Sequence, residues 1–202
     1  MDEKLKSAYG LFYEHDYKSA EKIFSLNGLS YEAGLCALLS TDLDSSRKYF
    51  NMKKEICPAS SFGLLILDII ENKPKKQPKF FQIRSFLEIF INLFIENKFF
   101  VWAQKIIDEY RFFASINPEV PKFIARVLNA NNQNKAVHFF AGVAKEVCFY
   151  DAEIHFIDAS LYIKENNLKD AKKVIEECMS FAGEYYPILK LKQEIEDRNI
   201  LN

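Results

Sequence analysis

The sequence predicts an all-α protein of about 11–12 helices arranged as antiparallel hairpins, and three observations lead there. Apolar residues recur at i, i+3 and i+4 along nearly the whole chain, whereas alternating apolar and polar runs of strand type are almost missing. Polar helix breaks return at short intervals, although the chain holds only six glycines and six prolines. A small residue followed four positions later by a large one, each time after a polar turn, occurs five times.

The breaks fall in order at "EHD" (14–16), "LNGLS" (26–30), "STD" (40–42), "CPASS" (57–61), "ENKPKKQPK" (71–79), "IENK" (95–98), "SINPEVP" (115–121), "NANNQN" (129–134), "FYD" (149–151), "ENN" (165–167) and "FAGEYYP" (181–187). Between them lie about a dozen helices, mostly of about 10 to 18 residues, which is ordinary globular length. Short connections make successive helices antiparallel neighbours. One helix runs from about Pro58 to Glu71 and is stopped by the lysine-rich break, whose two prolines interrupt any helix. The next begins near Lys79 and reaches about Glu96. Its polar residues Ser85, Glu88, Asn92 and Glu96 form one narrow stripe, while phenylalanine, isoleucine and leucine fill nearly everything else. Such a helix must be covered on most of its circumference, at the centre of the protein or against a second copy. The last helix, "YPILKLKQEIEDRN" (186–199), is expected to cap the final hairpin by turning Ile188, Leu189 and Leu191 inward. The expected organisation is one domain over 1–202, with halves 1–72 and 79–202 joined by the Lys/Pro-rich connector 73–78 as the other division.

With 202 residues and 49% hydrophobic composition the chain can bury a substantial core, so it is not a disordered segment. Its 27 Lys and Arg nearly cancel 28 Asp and Glu, which leaves no global field to gather nucleic acid or an anionic membrane surface. The four cysteines, Cys36, Cys57, Cys148 and Cys178, have no paired spacing of the kind zinc or dithiol sites use, and read as free thiols in a reducing compartment. The start, "MDEKLKSAYGLFYEHD", does not fit a signal peptide, and a cytoplasmic location is expected. The most apolar stretch, "FLEIFINLFI" (86–95), includes Glu88 and Asn92 and is too short for a membrane span.

The five small/large pairs are Ala20/Phe24, Ser46/Phe50, Ala103/Ile107, Ala136/Phe140 and Ala171/Ile175. Twelve residues before each small member, on the preceding helix, stand Ala8, Gly34, Ile91, Ile124 and Ala159. A small side chain lets two antiparallel helices approach closely, and the large one plugs the gap to the next pair. This pattern resembles the tetratricopeptide repeat family, whose helical hairpins carry a small residue on the first helix and an Ala-x-x-x-aromatic pattern on the second. The best matches are "DYKSAEKIF" (16–24) and "NLKDAKKVIEEC" (167–178), and the resemblance covers about residues 3 to 182. Repeat spacings are 26, 57, 33 and 35 residues, where the family favours 34. Ile91 and Ile124 replace the expected small residue, so the repeats are degenerate.

The resemblance implies a right-handed α-solenoid and a non-enzymatic protein-binding role, with a peptide or protein segment held in a concave groove. Carried over residue by residue, the groove would be lined by Leu5, Tyr9, Phe12 and Tyr13, then by Tyr31, Leu35 and Leu38. Further along it would present Glu88, Asn92 and Glu96, then Ala125 and Leu128, and finally Phe156, Ser160 and Ile163. The lysine and asparagine clamp with which some members grip a C-terminal carboxylate is replaced here by Leu5, Tyr9 and Tyr31. Aromatic and leucine anchors suit an apolar helix or extended segment instead, with Glu88 and Glu96 preferring a basic group. Tyr9, Phe12, Tyr13 and Tyr31 also have the spacing of residues packed between hairpins.

No catalytic, metal-binding or cofactor-binding residue is expected: there is no glycine-rich phosphate loop, nucleophile elbow or two-histidine metal motif. Asp151, His155 and Asp158 have the spacing to share one helical face, yet no second histidine or cysteine accompanies them. His15 and His138 stand alone in a turn and between apolar residues. Two other readings remain open. One is a self-associating structural subunit, a homo-oligomer formed through the aromatic-rich region 80–113. The other, less favoured, is RNA binding through Lys73, Lys75, Lys76 and Lys79 beside Phe80 and Phe81, a cluster that also reads as a solvated connector.

Overall fold

The computed structural model describes residues 3–53, 55, 57–75, 79–114, 117 and 119–200, and among these it forms twelve α-helices and no strand. The expected breaks at 71–79 and 115–121 lie partly outside the described residues, at 76–78, 115, 116 and 118. The chain divides into two compact units, residues 1–79 and 80–202, at the end of the lysine-rich break. No helix among the described residues is long and apolar enough to cross a membrane.

The first unit holds α1 (Glu3–Tyr13), α2 (Tyr17–Leu26), α3 (Ser30–Leu39), α4 (Leu43–Met52) and α5 (Pro58–Ile70). Each packs on the next, and α3 also meets α5. Three-residue turns join α1 through α4, each with one left-handed residue: His15 (φ 64°), Gly28 (71°) and Thr41 (64°). The residue after it sends its amide back to a carbonyl near the helix end: Asp16 to Leu11 (2.9 Å), Leu29 to Phe24 (3.0 Å), Asp42 to Ala37 (2.9 Å). This closure satisfies groups that a helix end leaves open. Asp16 and Asp42 then cap the following helices by accepting from the amides of Ser19 and Ser45. Helices this short, joined by such turns, recur every 26 residues, and Ala8/Gly34, Ala20/Ser46 and Phe24/Phe50 are equivalent buried pairs.

The second of these hairpins shows what the small/large pair does. Ser46 Oγ donates to the Gly34 carbonyl at 2.8 Å, which fixes how closely α4 approaches α3. The Phe50 ring then fills the space between Gly34 and Gly63, where an added Cβ would come within 2.5 Å and 2.6 Å of it. One ring is thus clamped by a glycine from α3 and another from α5.

The second unit holds α6 (Phe80–Glu96), α7 (Phe100–Ala114), α8 (Glu119–Ala130), α9 (Asn134–Val147), α10 (Ala152–Lys164), α11 (Leu168–Ala182) and α12 (Tyr186–Ile200). Here α6, α8, α10 and α12 follow one another side by side, and α7, α9 and α11 each pack on the helix before and the helix after. The same left-handed turn returns at Lys98 (φ 63°), Asn132 (55°) and Asn166 (59°), each 34 residues after the last. Its closing bonds are Phe99 to Phe94, Gln133 to Leu128 and Asn167 to Tyr162, at 2.8–2.9 Å. Buried positions keep that period, as in Val120, Ile154 and Ile188, or Val127, Leu161 and Ile195.

This period shifts the expected register of α9 by one residue. Phe140 is buried as expected, but Ala136 is only half-buried, and Val137 and Ala141, both fully buried, stand one period from Ala103/Ile107 and Ala171/Ile175. The small residue on α8 is then Ala125, fully buried, rather than Ile124. Large and small have exchanged places in this hairpin, which is why a small-then-large search lands one residue early. On α6, Ile83, Phe86, Leu87, Phe90, Ile91 and Phe94 are buried; of the polar stripe Ser85 and Glu96 are exposed and Glu88 and Asn92 half-buried, and Phe81 and Ile89 are exposed beside it. On α12 the inward residues are Ile188 and Ile195, with Leu191 half-buried; Leu189, expected inward, is exposed because it falls outside that spacing.

Candidate functional site on the face of α6, α8 and α10

The 34-residue period sets Glu88, Lys122 and Phe156 at equivalent places, and Asn92, Arg126 and Ser160 at others. Lys122 and Arg126 were not among the expected site residues, because the early register on α9 carries over to α8 and points to Ala125 and Leu128. Both of those are buried in the core. Reading α8 from Ala125 instead of Ile124 recovers the two cations.

They hold a continuous polar seam. The Glu88 carboxylate accepts from Arg84 Nε at 2.9 Å and from Arg126 Nη1 at 3.2 Å, and Arg126 also donates to Glu153. Lys122 Nζ donates to Asp151 Oδ2 (2.7 Å) and Glu119 Oε1 (2.6 Å), with Glu153 at 3.7 Å. Asp151 also caps α10 by accepting from the amides of Glu153 and Ile154. Farther along, Asn131 Nδ2 donates to Asn92 Oδ1 at 2.5 Å and Lys164 Nζ to Asn129 Oδ1 at 2.9 Å. Burial pulls the Lys122 ammonium toward the neutral form, and its bonds to Asp151 and Glu119 more than offset this, raising its pKa. The Arg126 guanidinium is likewise raised, burial being outweighed by Glu153 and Glu88.

Lys122 is only 8% exposed, whereas Arg126, Glu88 and Glu153 keep part of their surface in solvent. Glu88 and Asn92 are therefore engaged within the chain, and Glu96 at the end of the stripe is exposed. The arrangement can exchange internal ion pairs for charged or amide groups of a ligand.

Of the other expected residues, Phe156 is half-buried against the core of the last helices, Ser160 Oγ donates to its carbonyl, and Ile163 is buried. Seven lie in the first unit. Leu5 and Leu35 are half-buried and Leu38 is buried. Tyr9 meets Phe24 edge-on at 5.0 Å, Phe12 meets Tyr17 at 5.4 Å, and Tyr31 leans on Phe50 at 5.8 Å. Burial pushes the Tyr31 phenol up to about 12. Tyr13 stands apart at 77% exposed.

Asp151, His155 and Asp158 do not converge on one site. His155 is buried, its Nδ1–H donates to the Asp151 carbonyl at 3.0 Å, and Phe149 and Phe181 enclose the ring. Asp158 turns instead toward α9, meeting His138 Nδ1 at 3.1 Å and Lys145, while His138 Nε2 lies 2.9 Å from Glu165. His15 Nδ1 is 2.6 Å from the Tyr17 hydroxyl. Among the described residues no group of His, Cys, Asp or Glu could hold a metal ion. All four cysteines are free, Cys36 and Cys178 buried and the other two half-buried. In the lysine cluster, Lys73 pairs with Glu71 at 3.0 Å; Lys76 and Pro78 lie outside the described residues. Comparison with protein-family models, with curated proteins and with solved structures gives no match.

Proposed function

We propose that the chain is a non-enzymatic protein-binding module, a right-handed α-solenoid of tetratricopeptide-like hairpins that holds a segment of a partner protein along the α6, α8 and α10 face. The observation that carries this reading is the 34-residue recurrence of turn, buried positions and helix packing in residues 80–202. A helix row that repeats at that interval offers one continuous face to an extended ligand. The seam supplies polar contacts there, and Glu96 extends it into solvent.

The test is site-specific photocrosslinking in the native cell, with the photoreactive residue at Glu96 or, as a control, at exposed Glu146 on α9. A single polypeptide labelled from position 96, absent from 146 and lost with Arg126→Glu, supports the reading. Equal labelling from both positions overturns it.

A second reading has its own observation. Within 80–113, Phe81, Phe100 and Val101 are 72%, 55% and 71% exposed, large apolar side chains that a second copy would cover. Self-association through this region predicts a dimer or larger species by light scattering that Phe81→Ser with Val101→Ser returns to monomer. A wild-type monomer at high concentration removes it.

A further inference from the structure

The groove between α11 and α12 has a volume of about 570 Å³ and a floor of buried Ile175 and Ile195. Its α11 wall is formed by Lys172, Ile175, Glu176 and Met179. Those positions lie two periods of 34 after Gln104, Ile107, Asp108 and Arg111, which form the α7 wall of another groove, of about 380 Å³. There the opposite wall is the next odd-numbered helix, α9, which sets Ala136, Phe139 and Phe140 toward α7. Arg111 lies over the Phe139 ring at 5.4 Å. The same helical wall thus occurs twice, facing α9 in one case and lying open beside α12 in the other. Helix α12 stands in the even-numbered row, because Ile188 and Ile195 repeat Ile154 and Leu161.

We propose that the α11/α12 groove receives an amphipathic α-helix of a partner polypeptide, one that carries a small residue followed three and four positions later by large apolar side chains, as α9 does beside α7. The spacing of the wall, at 172, 175, 176 and 179, is that of a helix ridge, and ridges pack against another helix. Rim residues Lys172, Glu176, Lys192 and Glu196 carry both signs, so apolar anchors rather than net charge select the occupant. This groove is separate from the α6, α8 and α10 face, and the two assignments stand or fall independently.

Methyl NMR on the full chain tests it, because the chain has three methionines and, of the two among the described residues, Met179 lines the groove while exposed Met52 in the first unit is an internal control. The probe is a lactam-stapled peptide with the α9 sequence, NKAVHFFAGVAKEV. The proposal expects a saturable shift of the Met179 methyl with Met52 unmoved. It also expects no response to the same peptide carrying Phe139→Asp and Phe140→Asp. By fluorescence polarisation, Met179→Lys and the exposed-rim variant Ser180→Trp should each weaken binding roughly tenfold while leaving helicity unchanged. An unmoved Met179 overturns the proposal, as does a shift shared equally by Met52. Broadening of Met179 with protein concentration alone would assign the groove to a second copy and overturn it too.

Discussion

Substituting Gly34 by alanine adds one methyl group to the interior of α3, and the structure decides the sign of its effect. In a helix interior this change ordinarily stabilises by roughly 0.5–1 kcal/mol, through lost chain entropy in the unfolded state. Here the new Cβ would stand 2.5 Å from the Phe50 ring. The ring cannot retreat, since it is fully buried and equally close to Gly63 on its other side. Overpacking of this kind costs about 1–3 kcal/mol, and separating α3 from α4 also stretches the Ser46 bond to the Gly34 carbonyl. The clash therefore wins, and Gly34→Ala should destabilise the first unit by about 1–2 kcal/mol net. Gly10, where an added Cβ meets nothing within 4 Å, is the control and should show the ordinary gain. Urea unfolding by circular dichroism, with amide exchange in α3 and α4, measures both. A Phe50→Leu background should remove most of the penalty, giving a coupling of about 1 kcal/mol or more. Stabilisation by Gly34→Ala, or additivity with Phe50→Leu, would refute the clamp.

Three more outcomes are expected. Burial lowers the His155 pKa below its ordinary 6.5, so on acidification the unfolded chain takes up the proton first. Stability should be fully present above pH 6.5 and fall as pH drops from there toward the folded value, by at most about 1.4 kcal/mol per pH unit, and His155→Leu should flatten that limb of the urea-midpoint profile. Lys98 pays for a left-handed backbone that glycine adopts freely, so Lys98→Gly should stabilise by about 0.5–1 kcal/mol, read from the fluorescence of nearby Trp102 during unfolding. Arg126→Ala removes ion pairs to Glu88 and Glu153 that are partly open to solvent, so it should cost about 1 kcal/mol at low salt, and less at high salt.

The helix breaks were legible because their chemistry is local. "EHD", "STD" and "ENN" supply a left-handed residue and then a capping Asp or Asn, and each sits where a helix ends. Ala20/Phe24 and Ser46/Phe50 were legible because the small residue and the ring obey one helical spacing. The α9 register was not, since Val137/Ala141 reverses the order of sizes, and the period shows in the folded chain, in the turns at Lys98, Asn132 and Asn166 and in the buried positions that follow them. That single-residue offset hid Lys122 and Arg126, whose partners come from helices 27 to 38 residues away in sequence. Tertiary pairing of this sort leaves no trace in local periodicity. The tyrosines posed the opposite problem: Tyr9, Tyr13 and Tyr31 read alike in sequence, yet Tyr13 is exposed while the other two rest on Phe24 and Phe50.

Spin labels at Glu96, Ala130 and Lys164, three exposed positions one period apart at the ends of α6, α8 and α10, test the stacked row most directly. Neighbouring helix axes lie about 8–10 Å apart, so pairs 96/130 and 130/164 should broaden continuous-wave spectra alike, and pulsed dipolar measurement should place 96/164 at roughly 20 Å. A 96/164 separation as short as that of its neighbours, or unequal neighbouring pairs, would contradict the regular row on which the binding face depends.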